Sequence, residues 1–578
     1  MGLDKLAPEL IEMAKGTPDG AAALEQAISQ YGPFGLDRNR NPRIPVILKC
    51  DGRSEIPDVS GAVVFGDRGK NRTALASAEG LRSLSEEQSI LRIKSPRIFH
   101  PLNDVAGTKT ALNAFRANRP GLSGKGVIIG VVDTGIDSTL NWFSDRILAI
   151  WDHSMEGRGW RKDDDDYGKV LRGGAMGASS DIRGHGTHVA GIAAGTHGTY
   201  SGVAPGSNII AVKTNFSENS IMDAIEFIFY EADQRGMPAV INLSLGGHDD
   251  PHDGTDALSE RIMDYSGPGR IVVAAAGNDG ERDVHGEITI PPFGVGVLKL
   301  QVWPGSSLNL LLACWYDGQT ELEVSVKGPS GSSSRFLGPS RVKPAAVEST
   351  VLDGSAVKIE AGPRSDDNGD HEVRIEIQGG PLKPSVAEGV WEVSFRNAQN
   401  ATVIVQAWSH RNRGAKSAAF LPPHNVNRMK IGSPGCAPHA ITVGSYTTRH
   451  EWMDFGGTRQ QCSHPVDALT PFSSPGPNRD GGLKPDLAAP GAMVVSALSS
   501  DHIADPAYII GPDAVVKSGT SMAAPYVSGL VALLLERDSS LNPAQAKALL
   551  RQNCSIPFQP NSGHDLRWGF GLINAAAL

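Results

Sequence analysis

Residues 127–137 have the sequence VIIGVVDTGID. A short run of Val and Ile that stops at a Gly-containing turn is typical of a strand buried in a parallel sheet. Asp133 then stands where this strand ends. Open α/β sheets bind their ligands at the carboxyl ends of the strands, so the segment predicts a fold class and places Asp133 in a functional site.

Similar apolar runs recur along the chain, with helix-like segments between them. Predicted strands occupy 208–213, 239–245, 270–277, 440–446 and 493–498, and predicted helices occupy 187–195, 220–236 and 521–536. Strands that alternate with helices indicate an α/β fold with a parallel sheet and crossover helices.

Residues 281–425 interrupt this alternation. They hold many strand-like stretches separated by Gly, Pro, Asp and Asn turns, which favours a β-sandwich or jelly roll. Because the α/β pattern resumes at 426, we predict that this block is inserted into the α/β domain.

The N-terminal part has its own pattern. Residues 1–40 form a predicted helical segment, since Leu6, Leu10, Ile11 and Met13 repeat with helical spacing. Residues 41–104 form a predicted α+β unit with strands at 44–49, 60–66 and 89–99 and a helix at 75–88.

Composition excludes several classes of partner. The 578-residue chain has a net charge of −9 and no long Lys/Arg run, which argues against nucleic acid. Its five cysteines are odd in number and far apart, which predicts neither a zinc site nor a disulfide framework. The N-terminus lacks the apolar core of a signal peptide, and no apolar run approaches the ~18–20 residues of a membrane span, so a cytoplasmic location is expected.

Three further segments carry candidates for chemistry. GHGTHVAG (184–191) places His185 at the start of a helix, AAAGNDG (274–280) places Asn278 after a strand, and SGTSMAAP (518–525) places Ser521 at the N-terminus of an apolar helix. Amide hydrolysis needs a nucleophile, a base that activates it and donors for the developing oxyanion. These residue types can supply all three.

Together the four segments, in this order, closely resemble the subtilisin-like peptidases. The resemblance implies a three-layer α/β fold in two parts, 105–280 and 426–578. It also implies that Asp133 orients His185, that His185 acts as general base, and that Ser521 is the nucleophile. Asn278 would donate to the oxyanion together with the backbone N–H of Ser521.

The resemblance also implies a substrate-binding cleft. NLSLGG (242–247) is similar to the strand that pairs with extended peptide, which assigns Ser244, Leu245 and Gly246 to substrate. Residues of the neighbouring motifs are assigned with them, namely Ala276, Gly277, Gly519 and Thr520. Asp279 is expected at the rim of the primary specificity pocket, where it would favour a basic residue before the scissile bond.

Two other regions have counterparts in the family. Residues 41–104 occupy the place of the intramolecular chaperone, which implies a prodomain that is cut within 98–105; a permanently attached N-terminal domain is the alternative. The β-rich block resembles the jelly-roll insert of the clostridial Csp-type subtilases, on the strength of ELEVSVKGPSG (321–331) and GVWEVSF (389–395).

Departures from the family pattern concern cations. Trp142 stands where the strongest calcium site of the family has an Asp, so that site is expected to be absent, and no cofactor is expected to be required. A second, weaker calcium or monovalent-cation site formed near Gly435 with Asp486 is left open. HDDPHD (248–253) resembles a metal-binding run in composition, but it follows the substrate strand and is predicted to be a polar loop.

The motifs and the resemblance together predict a serine endopeptidase that acts on extended peptides and is made as a proenzyme that cuts off its own N-terminal segment. Two alternatives remain open. One is a protease fold kept inhibited and used for binding or signalling, and the other is a protease dedicated to the maturation of one peptide.

Overall fold

The computed structural model describes residues 5–6, 10, 13–15, 41–51, 56–65, 71–94, 109–160, 168–304, 309–338, 346–380, 385–410, 418–557, 559 and 563–578. The chain divides into two units, residues 1–100 and 101–578. Most of the predicted helical segment at 1–40, and the predicted cleavage stretch at 98–105, lie outside the described residues.

Among its described residues, the first unit contains a four-stranded antiparallel sheet and a helix between the third and fourth strands. Its elements are β1 (Ile44–Cys50), β2 (Ala62–Phe65), β3 (Asn71–Ala76), α1 (Ala78–Glu86) and β4 (Ile90–Lys94), with strand order β2-β3-β1-β4. The side chain of Ser77 caps α1 by accepting from the backbone N–H of Gly80, and Leu81 and Leu84 face the core. The α+β pattern expected for 41–104 is present, with β3 as an additional strand.

The second unit begins with the first half of an α/β domain. Its strands are β5 (Ile128–Asp133), β6 (Ile147–Asp152), β7 (Lys169–Leu171), β8 (Asn208–Lys213), β9 (Ala239–Leu243) and β10 (Arg270–Ala275). Its helices are α2 (Leu112–Asn118), α3 (His185–Ala194), α4 (Glu218–Asp233) and α5 (Ala257–Tyr265).

Ten antiparallel strands follow as a sandwich of two sheets. They are β11 (His285–Ile290), β12 (Val295–Val302), β13 (Asn309–Tyr316), β14 (Leu322–Lys327), β15 (Ala346–Leu352), β16 (Ser355–Arg364), β17 (His371–Gln378), β18 (Gly389–Asn397), β19 (Val403–His410) and β20 (Ala419–Phe420). One sheet has the order β11-β19-β13-β17-β16-β15 and the other β14-β18-β12-β20. Alternate residues of both sheets, such as Ile375 and Val393, share one buried apolar core.

The α/β domain then resumes. Its remaining strands are β21 (Ile441–Thr447), β22 (Glu451–Met453), β23 (Arg459–Gln461), β24 (Ala468–Leu469), β25 (Leu487–Ala492), β26 (Val494–Ala497), β27 (Ile509–Gly511), β28 (Ala514–Lys517), β29 (Cys554–Ser555) and β30 (Leu572–Ile573). The helices are α6 (Thr520–Arg537) and α7 (Pro543–Gln552). β26, predicted as part of the main sheet, instead pairs with β28 in a small antiparallel sheet.

The main sheet joins both halves of the domain. Its central strands run in the order β25-β21-β10-β9-β5-β8-β6, and each neighbouring pair among these seven is parallel. Residues of β5 alternate between two cores: Ile129 and Val131 face α3 and α6, whereas Ile128 and Val132 face α4 and α5. Because both faces are covered, every residue of β5 is buried, and each such aliphatic side chain stabilises the fold by about 1.5–3 kcal/mol.

The described residues contain no helix that is long and apolar enough to cross a membrane.

Helices α3 and α6 approach each other closely through glycine. A Cβ added to Gly529 of α6 would lie 2.4 Å from the Cβ of Val203 and 3.0 Å from the carbonyl oxygen of Ala193. Val203 is 3% exposed and Ala193 belongs to α3, so neither can move freely. This contact fixes the distance between the two helices that begin at His185 and Thr520.

We expect Gly529→Ala to lower the free energy of unfolding by ~1–3 kcal/mol, because overpacking forces backbone shifts. Gly198→Ala is the matched control, since a Cβ at Gly198 meets nothing within 4 Å. Urea unfolding of both variants measures the difference. Equal midpoints for the two variants would contradict the close packing of α3 on α6.

Candidate active site

A carboxylate and an imidazole meet at the carboxyl edge of the main sheet. Asp133, the last residue of β5, accepts a hydrogen bond from Nδ1 of His185, the first residue of α3, with 2.7 Å between Oδ1 and Nδ1. The same Oδ1 accepts from the backbone N–H of Thr134 at 2.7 Å. Asp133 is fully buried, whereas 31% of the His185 side chain is exposed. The carboxylate therefore holds one ring nitrogen while the ring reaches solvent.

A second buried carboxylate holds these two segments together. Asp181 Oδ1 accepts from the Thr134 hydroxyl at 2.7 Å and from the Gly184 N–H at 2.9 Å. Its Oδ2 accepts from the N–H and hydroxyl of Thr187 at 2.8 and 2.7 Å. The Thr134 hydroxyl in turn accepts from the N–H of Gly186. Asp181 thereby ties the turn after β5 to the first turn of α3. Asp181 could not be recognised from the sequence, because a lone Asp in a loop has no distinguishing pattern.

Ser521 lies in the first turn of α6, beside the end of β9. Its hydroxyl donates to the carbonyl oxygen of Ser244 at 3.2 Å, and the Ser244 hydroxyl donates to the carbonyl oxygen of Ser521 at 2.8 Å. His188 of α3 contacts the carbonyl oxygens of Val494 and Val515 through Nε2, at 3.2 and 3.1 Å. The start of α3 thus lies beside β28, which leads directly into Ser521.

Two N–H donors converge next to Ser521. Asn278 Oδ1 accepts from the Thr520 N–H at 2.9 Å and from the Thr520 hydroxyl at 3.1 Å, which turns its amide nitrogen away from Thr520. The Thr520 hydroxyl oxygen accepts from the N–H of Gly277 at 3.1 Å. A Cβ built on Gly519 would lie 3.5 Å from Asn278 Nδ2 and 3.6 Å from the Ser521 nitrogen. Both donors therefore border the same small space, which the absence of a side chain on Gly519 keeps open.

Charge around His185 favours its protonated form. Burial by itself lowers the pKa of His185, but the charge and hydrogen bond of Asp133 outweigh it, and the pKa is raised above its ordinary value. The ammonium of Lys517 opposes this rise and Asp181 adds to it. Burial, followed by the positive charges of Lys517 and His185, lowers the pKa of His188 well below its ordinary value. His188 is therefore a neutral packing residue.

Of the residues predicted to bind substrate, Gly246 is exposed, whereas Ser244, Ala276 and Thr520 are buried. Gly246 is exposed directly after β9, and Leu245 is half-buried against the core below. The N–H of Ala276 is used inside the sheet, where it donates to Val443 at 3.0 Å. Gly246, beyond the end of β9, is therefore accessible from solvent, while the neighbouring N–H of Gly247 donates to the carbonyl oxygen of Ser433 at 3.2 Å.

The loop 248–253, predicted as a polar loop, is largely buried, and only Asp249 in it is exposed. His252 is fully buried, and the exposed fractions of His248 and Asp250 are 7% and 6%. His248 Nδ1 and His252 Nε2 are 2.9 Å apart. The loop is buried because strands of the sandwich, which are distant in the sequence, cover it.

A stack of flat side chains crosses from the loop into the sandwich. The ring of Trp408 lies between those of His252 and His285, with centroids 3.9 and 4.6 Å away and interplanar angles of 6°. Arg374 of β17 also holds Asp249 through two hydrogen bonds, of 2.7 and 3.0 Å. The sandwich thus supports the loop that follows the substrate edge. Burial lowers the pKa of His285 to about 3, so this ring stays neutral.

Asp279 connects this loop to Asn278, which directly precedes it in the chain. Its carboxylate pairs with His248 Nε2 at 3.1 Å and with Arg282 Nη1 at 3.0 Å. Burial alone would raise the pKa of Asp279, but His248 and Arg282 lower it to about 2. A carboxylate already paired on both oxygens is a poor partner for a basic substrate side chain.

Asp486, near which a weak cation site was left open, is paired with three cationic side chains. Lys484 Nζ donates to the Ala440 carbonyl at 2.7 Å, to the Thr442 hydroxyl at 2.8 Å and to Asp486 at 3.2 Å. Lys547 and Arg551 also pair with this fully buried carboxylate. The carbonyl oxygen of Gly435 accepts from the Thr442 hydroxyl. Burial would raise the pKa of Asp486, but the three cations hold it below its usual range.

Trp142, which stands where the strongest calcium site of the family has an Asp, is a buried packing residue. It is 1% exposed, donates through Nε1 to Asp513 at 2.8 Å, and stacks on His197 with centroids 4.5 Å apart. Elsewhere among the described residues, ligand atoms of Asp250, Asp256 and Cys436 lie within 4.8 Å of one another. Asp256 already accepts from Ser433 and Ser259, so these atoms form part of a hydrogen-bonded cluster.

Comparison with known proteins shows which family the chain matches. The sequence model of the subtilase family, Peptidase_S8, matches residues 124–327 and 377–571, which is more than half of the chain. The subtilisin-like protease SBT4.14 of Arabidopsis thaliana is 24% identical over 493 residues, covering 78% of this chain and 60% of its own. The serine protease AprX of Bacillus subtilis is 36% identical over 177 residues, covering 30% of this chain and 36% of its own.

A solved structure shares the fold. The Clostridium perfringens CspB protease aligns with a TM-score of 0.66 at 24% identity, covering 82% of this chain and 96% of its own. The predicted resemblance to subtilases of the Csp type is thereby confirmed. The chain spans 60% or less of the length of the relatives SBT4.14, SBT1.6 and Vpr.

Asp250 makes stability depend on pH. Burial, followed by the charge of Asp256, raises the pKa of Asp250 to about 7, above the ~3.9 of an unfolded chain. The folded state therefore holds a proton that the unfolded state has released. Stability from this group is complete below about pH 4 and is lost as pH rises toward 7, by up to ~1.4 kcal/mol per pH unit.

We expect Asp250→Asn to remove this dependence. The variant gains stability relative to the wild type at pH 8 and not at pH 4, as measured by urea unfolding at both values. The exposed Asp480→Asn serves as the control and leaves the slope unchanged. A wild-type slope that survives in Asp250→Asn would show that another group is responsible.

Proposed function

Because the chain belongs to the subtilase family, we propose that it is a serine endopeptidase in which Asp133, His185 and Ser521 form the catalytic triad. The observation that carries the proposal is the 2.7 Å hydrogen bond between His185 and the buried Asp133. It fixes the tautomer in which Nδ1 carries the proton and leaves Nε2 free to accept one.

The reaction begins with the Ser521 hydroxyl. In the free site this hydroxyl donates to the Ser244 carbonyl, and it turns toward His185 when substrate covers the edge. His185 takes the proton as Ser521 attacks the substrate carbonyl carbon. His185 then gives this proton to the leaving amine, and water repeats the sequence on the acyl-enzyme.

Asn278 Nδ2 and the Ser521 N–H stabilise the oxyanion. Both border the space beside Gly519, where the substrate carbonyl oxygen would lie. The positive end of the α6 dipole adds to their effect, since Ser521 lies in the first turn. The chemistry uses side chains and backbone groups alone, so we propose that no cofactor is required.

Substrate would bind as an added strand. The exposed edge at Gly246 supports pairing with an extended peptide or protein segment. We further propose that the unit containing β1–β4 is a prodomain, removed by cleavage within 98–105. Its α+β sheet and its position before the α/β domain support this assignment.

Labelling with a fluorophosphonate probe tests the nucleophile. We expect one adduct on the wild-type protein and none on Ser521→Ala, read by intact mass, because only an activated hydroxyl attacks the probe. Ser528→Ala, which removes a buried hydroxyl of the same helix, is the control and keeps the adduct. The same spectra report any loss of the first ~100 residues.

The outcomes separate the alternatives. No adduct on the folded wild-type protein would refute the active triad and favour an inhibited binding module. An adduct together with no digestion of casein would favour a protease dedicated to one peptide.

Removal of the oxyanion donor should slow the chemical step. We expect Asn278→Ala to reduce kcat by roughly 10²–10³ with little change in KM; this magnitude is the measured effect of the matching Asn in subtilisin itself. Asn425→Ala, which removes an amide that bonds to Asp283, is the control. Unchanged kcat in Asn278→Ala would exclude this amide from the oxyanion site.

A further inference from the structure

A cation lies beside the catalytic histidine and has no role in the mechanism above. Lys517 is the last residue of β28, four positions before Ser521. Its Nζ lies 3.4 Å from Nε2 of His502. The Lys517 side chain is half-buried, so its ammonium is held in place by the fold.

His502 fixes this cation against the segment that precedes His185. Nδ1 of His502 donates to the carbonyl oxygen of Ile182 at 3.0 Å. Its ring covers Gly184, where an added Cβ would lie 2.8 Å from the ring atoms. Gly184 has a φ of 60° and immediately precedes His185. The Lys517–His502 pair therefore lies on the His185 side of the site.

This position faces the leaving group. Because His185 returns its proton to the leaving amine, the residue that follows the scissile bond must lie next to His185. The substrate carbonyl oxygen points instead toward Asn278. The ammonium of Lys517, which lies on the His185 side of the site, is consequently placed to contact the residue after the scissile bond.

The charge of Lys517 is not compensated by a direct partner. Among the described residues it forms no salt bridge, and His502 takes one of its three N–H donors. The carboxylates of Asp133 and Asp181 attract it at longer range. Both oxygens of Asp181 and Oδ1 of Asp133 already accept hydrogen bonds, whereas Oδ2 of Asp133 is buried with no hydrogen-bond partner among the described residues. Two donors of a partly desolvated ammonium thus remain for an anionic group.

We propose that Lys517 binds a carboxylate on the residue that follows the scissile bond, which makes the enzyme selective for an acidic side chain or a free C-terminal carboxylate at that position. This inference rests on the proposed endopeptidase function. The interaction is a charge-assisted hydrogen bond near the reacting atoms, so the preference for Asp over Asn should be roughly tenfold or more in kcat/KM.

Peptides that differ in one residue test the proposal. Internally quenched peptides are built on one casein-derived cleavage sequence, with Asp, Asn or Lys after the scissile bond. The ratio of kcat/KM values is measured at a single pH for the wild type, Lys517→Met and Lys517→Glu. Because any change in the pKa of His185 alters kcat/KM for all peptides alike, the ratio isolates recognition.

We expect the Asp/Asn ratio to fall to about one in Lys517→Met and the preference to shift toward Lys in Lys517→Glu. Lys299→Met, which removes a lysine of β12 in the sandwich, is the matched control and keeps the wild-type ratio. A further pair of peptides ends at this residue, one as the free acid and one as the amide. Selection of the free acid identifies a C-terminal carboxylate, and indifference identifies the side chain.

Active sites are counted in every variant with the fluorophosphonate probe. A wild-type Asp/Asn ratio that persists in fully labelled Lys517→Met overturns the proposal and leaves the endopeptidase function intact. Absence of labelling in the wild type refutes both. Anilide substrates, which lack a residue after the scissile bond, are cleaved with no dependence on charge at position 517 beyond the common pKa effect.

Discussion

The buried carboxylate of Asp181 is the interaction on which the geometry of the site depends. It accepts four hydrogen bonds, from Thr134, Gly184 and the two donors of Thr187. Thr134 belongs to the turn after β5, and Gly184 and Thr187 belong to the start of α3. One anion therefore sets the separation between a strand end and a helix start. A carboxylate and an imidazole carried by these two segments can then meet at hydrogen-bond distance, although they are 52 residues apart in the chain.

The sandwich is coupled to this site through aromatic and charged contacts. Trp408 and Arg374 hold the loop 248–253, and His248 in that loop pairs with Asp279. Asp279 directly follows Asn278. A continuous set of contacts thus runs from β17 and β19 to Asn278. Such coupling explains how an inserted domain can act as part of the active-site wall rather than as an independent appendage.

The sequence predicted the elements whose signal is local. Apolar runs located β5, β8, β9 and β10, and the helix predicted at 220–236 corresponds to α4 (Glu218–Asp233). β3 was missed because Asn71, Arg72 and Thr73 give it no apolar start, and β15 because Glu348, Ser349 and Thr350 interrupt it.

Side chains whose surroundings come from distant parts of the chain could not be predicted. The composition of 248–253 indicates a polar loop but does not show that it is covered, because the strands that bury it come more than 100 residues later. Asp181 and Lys517 carry no motif of their own; their significance comes from what lies beside them. The motifs around Asp133, His185, Asn278 and Ser521 were visible because several small and polar residues are fixed together at each site.

The arrangement around Asp486 has a consequence for the environment in which the fold can persist. A bound ion would have to be captured from solution. Lys484, Lys547 and Arg551, in contrast, are part of the chain, so every molecule carries all three cationic side chains beside Asp486. Their presence beside Asp486 does not depend on the concentration of any ion in solution. This cluster depends on pH instead. Burial lowers the pKa of Lys547 to about 7, so its side chain loses its charge as the pH rises through that value.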